Sequence, residues 1–225
     1  MRLGVGGVVG RFALLLVALV GLPVSAASQS GPEAEEVAAA AEPTVFGVVA
    51  GYNTSRGVWS PDSESESVGG LMLGGFVNAK TPAPWFSVRA ELLWVQRGND
   101  VAGTVEGEPL IGGVRSDYVT ISVHPRASFA LGPIRLHLAA GPTIDQLVNS
   151  RLDPTLSSVA LADVGTVFGV GAGAGLGTTL AGRYRIEVEA RVFEGLGDAY
   201  SGDFVSMRYR SFEVVARVGI PRSPS

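Results

Sequence analysis

The sequence predicts an all-β chain folded as an eight-stranded, antiparallel, up-and-down transmembrane β-barrel, and three observations lead to it. Apolar and polar residues alternate with a period of two in about eight segments. The connections between those segments run long, short, long, short, long, short, long, and outer-membrane barrels segregate their connections in this way, with brief turns at one end and long loops at the other. Several segments carry arginine and glutamate together on the polar face, where opposite charges can neutralise one another inside a narrow tube.

Composition narrows the class first. Charged residues are 17% of the 225, below the roughly 25% of a typical soluble protein, and 31 residues are glycine. Mean hydropathy is positive. The formal net charge is −4, which supplies no basic patch and argues against nucleic acid as a partner. There is no cysteine, so disulfides, thiolate nucleophiles and thiolate metal sites are excluded.

The chain opens with Arg2 and Arg11, then an apolar run from Phe12 to Leu22, then Pro23-Val-Ser-Ala26. That run is too short to cross a hydrocarbon core of roughly 30 Å as a helix, and its flanks fit a secretory signal peptide over residues 1–26. Removing its two arginines takes the net charge from −4 to −6. Residues 27–43, rich in Ala and Glu, read as an acidic tail. No later segment has the roughly 20 continuous apolar residues of a membrane helix, so membrane residence requires a barrel over residues 44–220, followed by a short tail, 221–225.

The first strand is Val45 to Asn53, with Phe46, Val48, Ala50 and Tyr52 on one face. A polar loop over 55–66 leads to a second strand, Gly69 to Asn78, in which Leu71, Leu73 and Val77 share a face. After a short turn, Trp85 to Arg97 sets Phe86, Val88, Ala90, Leu92 and Trp94 against Ser87, Arg89 and Glu91. A loop over 98–113 precedes the fourth strand, Asp117 to Phe129, with Val119, Ile121 and Val123 opposite Thr120, Ser122 and His124. Pro125 cannot donate to a ladder, so a bulge is expected there.

The tight turn Leu131-Gly-Pro133 leads into Ile134 to Gly141, which opposes Arg135 and His137 to Ile134, Leu136 and Leu138. After a long loop over 142–162, the strand Val164 to Gly177 carries five glycines on one face, from Gly169 to Gly177. Those glycines leave room inside a tube for long side chains of neighbouring strands. The seventh strand, Tyr184 to Phe193, is the most regular. Ile186, Val188, Ala190 and Val192 alternate with Arg185, Glu187, Glu189 and Arg191. A last loop over 194–204 precedes Val205 to Ile220, where Phe212, Val214, Ala216 and Val218 oppose Glu213 and Arg217.

The expected interior network is therefore Arg89, Glu91, Arg135, His137, Arg185, Glu187, Glu189, Arg191, Glu213 and Arg217. Aromatics fall near strand ends, at Trp85, Phe86 and Tyr184 after short turns and at Tyr52 and Trp94 before long loops, as girdles at two membrane interfaces would.

The chain resembles the PorT-like porin family of small outer-membrane barrels over residues 44–220. The resemblance rests on Glu91 to Gly98, the Tyr118-centred strand with Pro125, Asp163-Val-Gly165 before the glycine-rich strand, and Arg191 to Asp198. It implies an eight-stranded barrel in the outer membrane without an assigned activity, in contact with outer-membrane lipids and inserted by the barrel-assembly machinery. Such barrels commonly finish on an aromatic residue, whereas here Ile220 is followed by Pro221 to Ser225.

No catalytic or cofactor motif competes with this reading. The glycine run repeats every two residues within a strand and lacks the spacing and following helix of a nucleotide loop. Ser122, His124 and His137, with Glu91 as acid, are the components of a barrel-type lipid-modifying hydrolase, but they also suit an interior hydrogen-bonded network. Asp62, Glu64 and Glu66 offer oxygen ligands to Ca²⁺ without the glycine or spacing of an EF-type loop. The expectation is a non-enzymatic protein with no cofactor or metal and a structural or interaction role, meeting an envelope partner through its external loops. Eight strands leave an interior just filled by side chains, so no open pore is expected. The alternative is a soluble exported eight-stranded barrel with its apolar faces inward around a small apolar ligand.

Overall fold

The computed structural model describes residues 43–61, 63–105, 108–154, 162–202 and 205–222. The expected signal peptide and the acidic tail up to residue 42 lie outside the described residues. Eight long strands form the wall: β1 (Val45–Ser60), β2 (Glu64–Lys80), β3 (Phe86–Val105), β4 (Glu108–Leu131), β5 (Ile134–Leu152), β7 (Thr166–Leu180), β8 (Tyr184–Gly195) and β10 (Ser206–Pro221). Two-residue strands β6 (Ala162–Asp163) and β9 (Tyr200–Ser201) pair with each other, and β9 also pairs with β10. Sequential neighbours pair antiparallel, and β1 closes on β10 over sixteen pairs from Val45↔Pro221 to Ser60↔Ser206. Closure leaves no unpaired edge for the eight wall strands, which is the condition for a sheet to sit in lipid.

The turns at one end are short, between Lys80 and Phe86, at Gly132-Pro133 and over Ala181 to Arg183. Gly132 and Gly182 adopt φ of 64° and 66°, a region open to glycine at little cost, and Ala181 shares it at 51°. At the other end the structure corrects the expected loops. β1 continues to Ser60, β3 to Val105 and β5 to Leu152, so the long connections are mostly extended hairpins. These segments alternate weakly, with polar residues on both faces, and so resemble loops in sequence while the ladder still pairs them.

The bulge expected at Pro125 is absent. β4 pairs with β3 in unbroken register through Val88↔Pro125, and the inward phase runs on through Ser122, His124, Arg126 and Ser128. The ladder to β5 pauses between Ser122↔Thr143 and Arg126↔Ala139 without slipping. Pro125 and Pro142 both fall in that pause, and neither has an N–H to give. The register shift on β4 lies instead at Asp117/Tyr118.

The apolar faces point outward. Val188 is 52% exposed and Phe168 59%, while Arg89 and Arg217 are fully buried. This sense overturns the soluble alternative, which required the apolar faces to line the interior. Phe46, Trp85, Phe129 and Tyr184 stand outward near the short-turn end, and Tyr52, Phe168 and Phe212 stand outward towards the hairpins.

The interior has three zones. Val45, Val49, Met72, Phe76, Leu93, Val95 and Val215 form an apolar lining on β10, β1, β2 and β3. A second apolar cluster, including Trp59, Tyr118, Phe193, Tyr200, Met207 and Tyr209, fills the tube at the hairpin end. Buried charges occupy the rest. β1 and β2 are apolar on both faces, so their alternation does not reveal the lining.

Candidate functional site

Among the described residues, six arginines (Arg89, Arg97, Arg126, Arg185, Arg191 and Arg217) and five carboxylates (Glu91, Asp145, Glu187, Glu189 and Glu213) are buried together. β8 supplies Arg185, Glu187, Glu189 and Arg191 in succession because a strand turns every second residue to the same side. The residues they meet come from across the tube on β3, β4 and β5 and from the adjacent strand β10. Bringing these ions out of water costs several kcal/mol each, and only close multiple contacts offset it.

Those contacts are present at three levels. Near the short turns, Glu187 accepts from Arg126 Nη2 at 2.8 Å and from Arg185 Nε at 3.0 Å. In the middle, Glu91 accepts from Arg191 Nη1 at 2.6 Å and Arg217 Nε at 2.7 Å, with Arg89 Nε 3.4 Å away. Glu189 holds Arg89 Nη2 at 2.5 Å and His137 Nε2 at 2.9 Å. Towards the hairpins, Arg97 reaches Asp145 and Glu213, both at 3.1 Å, and Thr120 donates to Asp145 at 2.6 Å. Arg191 Nε also pairs with Glu213, so the middle and upper levels are continuous. Arg97 stacks on Phe193, 3.9 Å from the ring centroid, and thereby joins the charges to the apolar cap.

The inward glycines of β7 make this possible. A Cβ on Gly173 would lie 2.6 Å from the Arg191 Cβ, one on Gly175 2.6 Å from His137 Nε2, and one on Gly177 2.9 Å from the Glu187 Cγ.

The structure buries nine of the ten residues expected in the network, and Arg135, on the inward face of β5 with His137, is half-buried near the turn. Arg97, Arg126 and Asp145 are members that sequence reasoning missed. Arg126 lies beyond Pro125, where a bulge would have reversed its face. Asp145 stands in a segment read as loop, and Arg97 closes its strand, so nothing opposite it is visible in sequence.

Ser122 and His124 are inside the tube, but among the described residues Ser122 Oγ and both His124 ring nitrogens have no hydrogen-bond partner. They are thus interior without joining the hydrogen-bonded network expected for them. They border a cavity of about 10 Å³, with Thr120, Thr143, Arg191 and Glu213 also on its wall, at the lower limit for one water. Glu91, the acid required by a hydrolytic triad, is held by arginines rather than by a histidine. Of the acidic group considered for Ca²⁺, Asp62 lies outside the described residues, and Glu64 and Glu66 are exposed on β2. Among the described residues no group of three metal-ligating side chains converges.

At the hairpin end, the Ser116 hydroxyl lies 2.8 Å from the Tyr200 hydroxyl and 3.1 Å from that of Tyr209. Burial pushes both phenols above their ordinary pKa. At the rim, the hydrogen bond to Glu194 raises the pKa of Arg210.

Comparison with known proteins agrees with this geometry. None of the curated proteins matches the chain in sequence. Among solved structures, OprG of Pseudomonas aeruginosa, an outer membrane protein, superposes with a TM-score of 0.54 at 10% identity, over 83% of this chain and 99% of that one. Neisserial surface protein A gives 0.47 at 14% identity, over 79% and 97%. Ail of Yersinia pestis gives 0.41 at 12% identity, over 79% and 99%. The family model described as outer membrane protein beta-barrel domain matches residues 29–201, more than half of the chain. With its apolar faces turned out, its charges paired within and its wall closed, the chain belongs to the outer membrane protein beta-barrel domain family and resides in the outer membrane.

Proposed function

We propose that this protein is a closed, non-enzymatic barrel with a structural or interaction role, its extended hairpins forming the external surface that meets an envelope partner. The observation that carries the reading is the filled interior. Glu187, Glu91, Glu189 and Glu213 tie opposite walls together along the tube, and the cluster around Trp59, Tyr118, Tyr200 and Tyr209 occupies its hairpin end. A solvated passage would need these ion pairs broken and that cap displaced. Within the family, the segments around Glu91 to Gly98, Tyr118 and Arg191 to Asp198 favour a PorT-like porin. Insertion by the barrel-assembly machinery and contact with outer-membrane lipids follow from the same reading.

Planar-bilayer recording of the purified barrel tests it. The expected trace is flat at either polarity; reproducible steps on the nanosiemens scale would refute a closed tube. The enzymatic alternative has its own test. The unbonded Ser122 and His124 are not arranged as nucleophile and base, so Ser122→Ala and His124→Ala leave the envelope lipid profile unchanged.

A further inference from the structure

The outward row of β1 runs Phe46, Val48, Ala50, Tyr52, Thr54, Arg56, and that of β10 runs Ile220, Val218, Ala216, Val214, Phe212, Arg210, Arg208. Both rows are apolar up to the aromatic level of Tyr52 and Phe212; beyond it β10 presents Arg210 and Arg208, and β1 presents Arg56 between Thr54 and Val58. Arg56 stands directly opposite Arg210, and Arg208 opposite Val58. Like charges facing one another across a ladder repel, and anions on the seam relieve that repulsion. Glu194 neutralises one of the three, accepting from Arg210 Nη2 at 3.0 Å. Arg56 and Arg208 make no ion pair among the described residues. The acids of β2, Glu64 and Glu66, lie beyond Ser55↔Val68, where the β1–β2 ladder ends.

Depth selects the ligand. Arg56 and Arg210 face each other two residues past the Thr54↔Phe212 pair, and a tilted strand rises about 2.5 Å per residue along the membrane normal, so they stand about 5 Å above the Phe212 level of the aromatic belt. That is headgroup depth, on the side of the wall that faces lipid. We propose that the closing seam between β1 and β10 binds the phosphate of a membrane lipid headgroup through Arg56, Arg208 and Arg210. Guanidinium forks match phosphate oxygens two at a time, and the aromatic side chains below hold the acyl chains of the same lipid. The inference adds a lipid site to the closed-barrel reading and rests on the hairpins standing outside the bilayer.

Native mass spectrometry of the intact barrel, released from bilayers containing phosphatidic acid or phosphatidylcholine, measures the one-lipid-bound population. The wild type retains phosphatidic acid preferentially. Each arginine near an anionic surface contributes about fivefold, so the double variant Arg56→Gln, Arg208→Gln loses about thirtyfold and falls to the phosphatidylcholine level. Glu194→Gln releases Arg210 and raises retention about fivefold. The control pair is Arg115→Gln, Arg151→Gln, an opposed pair on β4 and β5 in which Arg115 is already clamped by Asp100 at 2.8 and 3.2 Å; it leaves retention unchanged.

An unaltered Arg56/Arg208 variant, or an equal fall in both doubles, overturns the site. Full displacement by inorganic phosphate would show that it takes the free ion and not a lipid. The probe lipid occupies both leaflets, so the result does not depend on which side the hairpins face, and it is independent of the conductance test of the closed tube.

Discussion

Neutralising Glu91 is the sharpest probe of the interior. Its carboxylate is fully buried and contacts three guanidiniums, those of Arg191, Arg217 and Arg89. At charge-centre separations of about 4 Å and an effective dielectric of about 20, each such contact is worth about 4 kcal/mol. Glu91→Gln forfeits most of that attraction and recovers the desolvation penalty of one ion, several kcal/mol. What remains is the uncompensated mutual repulsion of arginines in a tube that already holds six against five carboxylates. The expected loss is about 3–5 kcal/mol, the range for removing one partner of a buried ion cluster. Urea unfolding in lipid vesicles, followed by the heat-dependent shift in gel mobility, measures it. A double-mutant cycle with Arg217→Gln localises it, because the second substitution removes a cation that has lost its closest partner. The double variant then costs less than the sum of the singles by at least about 1 kcal/mol. Additive effects, or a single-variant loss under about 1 kcal/mol, would refute the view that these charges hold the walls together.

Three further outcomes are expected. Gly175→Val places a Cβ 2.4 Å from the Val188 carbonyl oxygen and against a His137 ring held by Glu189, so it costs about 1–3 kcal/mol or more; Gly197→Ala, with nothing within 4 Å, is neutral in the same unfolding assay. A cysteine at Val188 is quenched by brominated acyl chains when labelled with a fluorophore, whereas one at Glu187 is inaccessible to the reagent in the folded barrel; the reverse pattern would invert the wall. Tyr200 and Tyr209 hold their protons more tightly folded than unfolded, so their contribution is fully present below the ordinary phenol value of about 10 and is lost as pH rises through the folded values. Phenolate absorbance in the wild type should therefore lag that of free tyrosine, and protease sensitivity of the hairpins should rise with it; Tyr200→Phe, Tyr209→Phe removes that coupled step.

Much of the architecture was legible in the alternation. A side chain on a strand has only two directions, so Arg185, Glu187, Glu189 and Arg191 had to share a face, and closure of the wall sent that face inward. Arg126 was hidden because Pro125 argued for a change of phase that the ladder does not make. Asp145 was hidden because a two-faced polar strand resembles a loop until its partner is seen. The apolar lining of Val49, Met72 and Phe76 was equally silent, since strands apolar on both faces show no preferred side.

The chain by itself determined the strand count, the positions of the short turns and the two faces of most strands, because these depend on a period of two and on local turn chemistry. Only the closed tertiary structure decided which guanidinium meets which carboxylate. Arg89 and Glu189, or Arg191 and Glu91, are a hundred residues apart and lie in contact because register and closure set them at one level of the tube. The physical reason is that alternation states to which side a group points, while its partner is chosen by the stagger of all eight strands together.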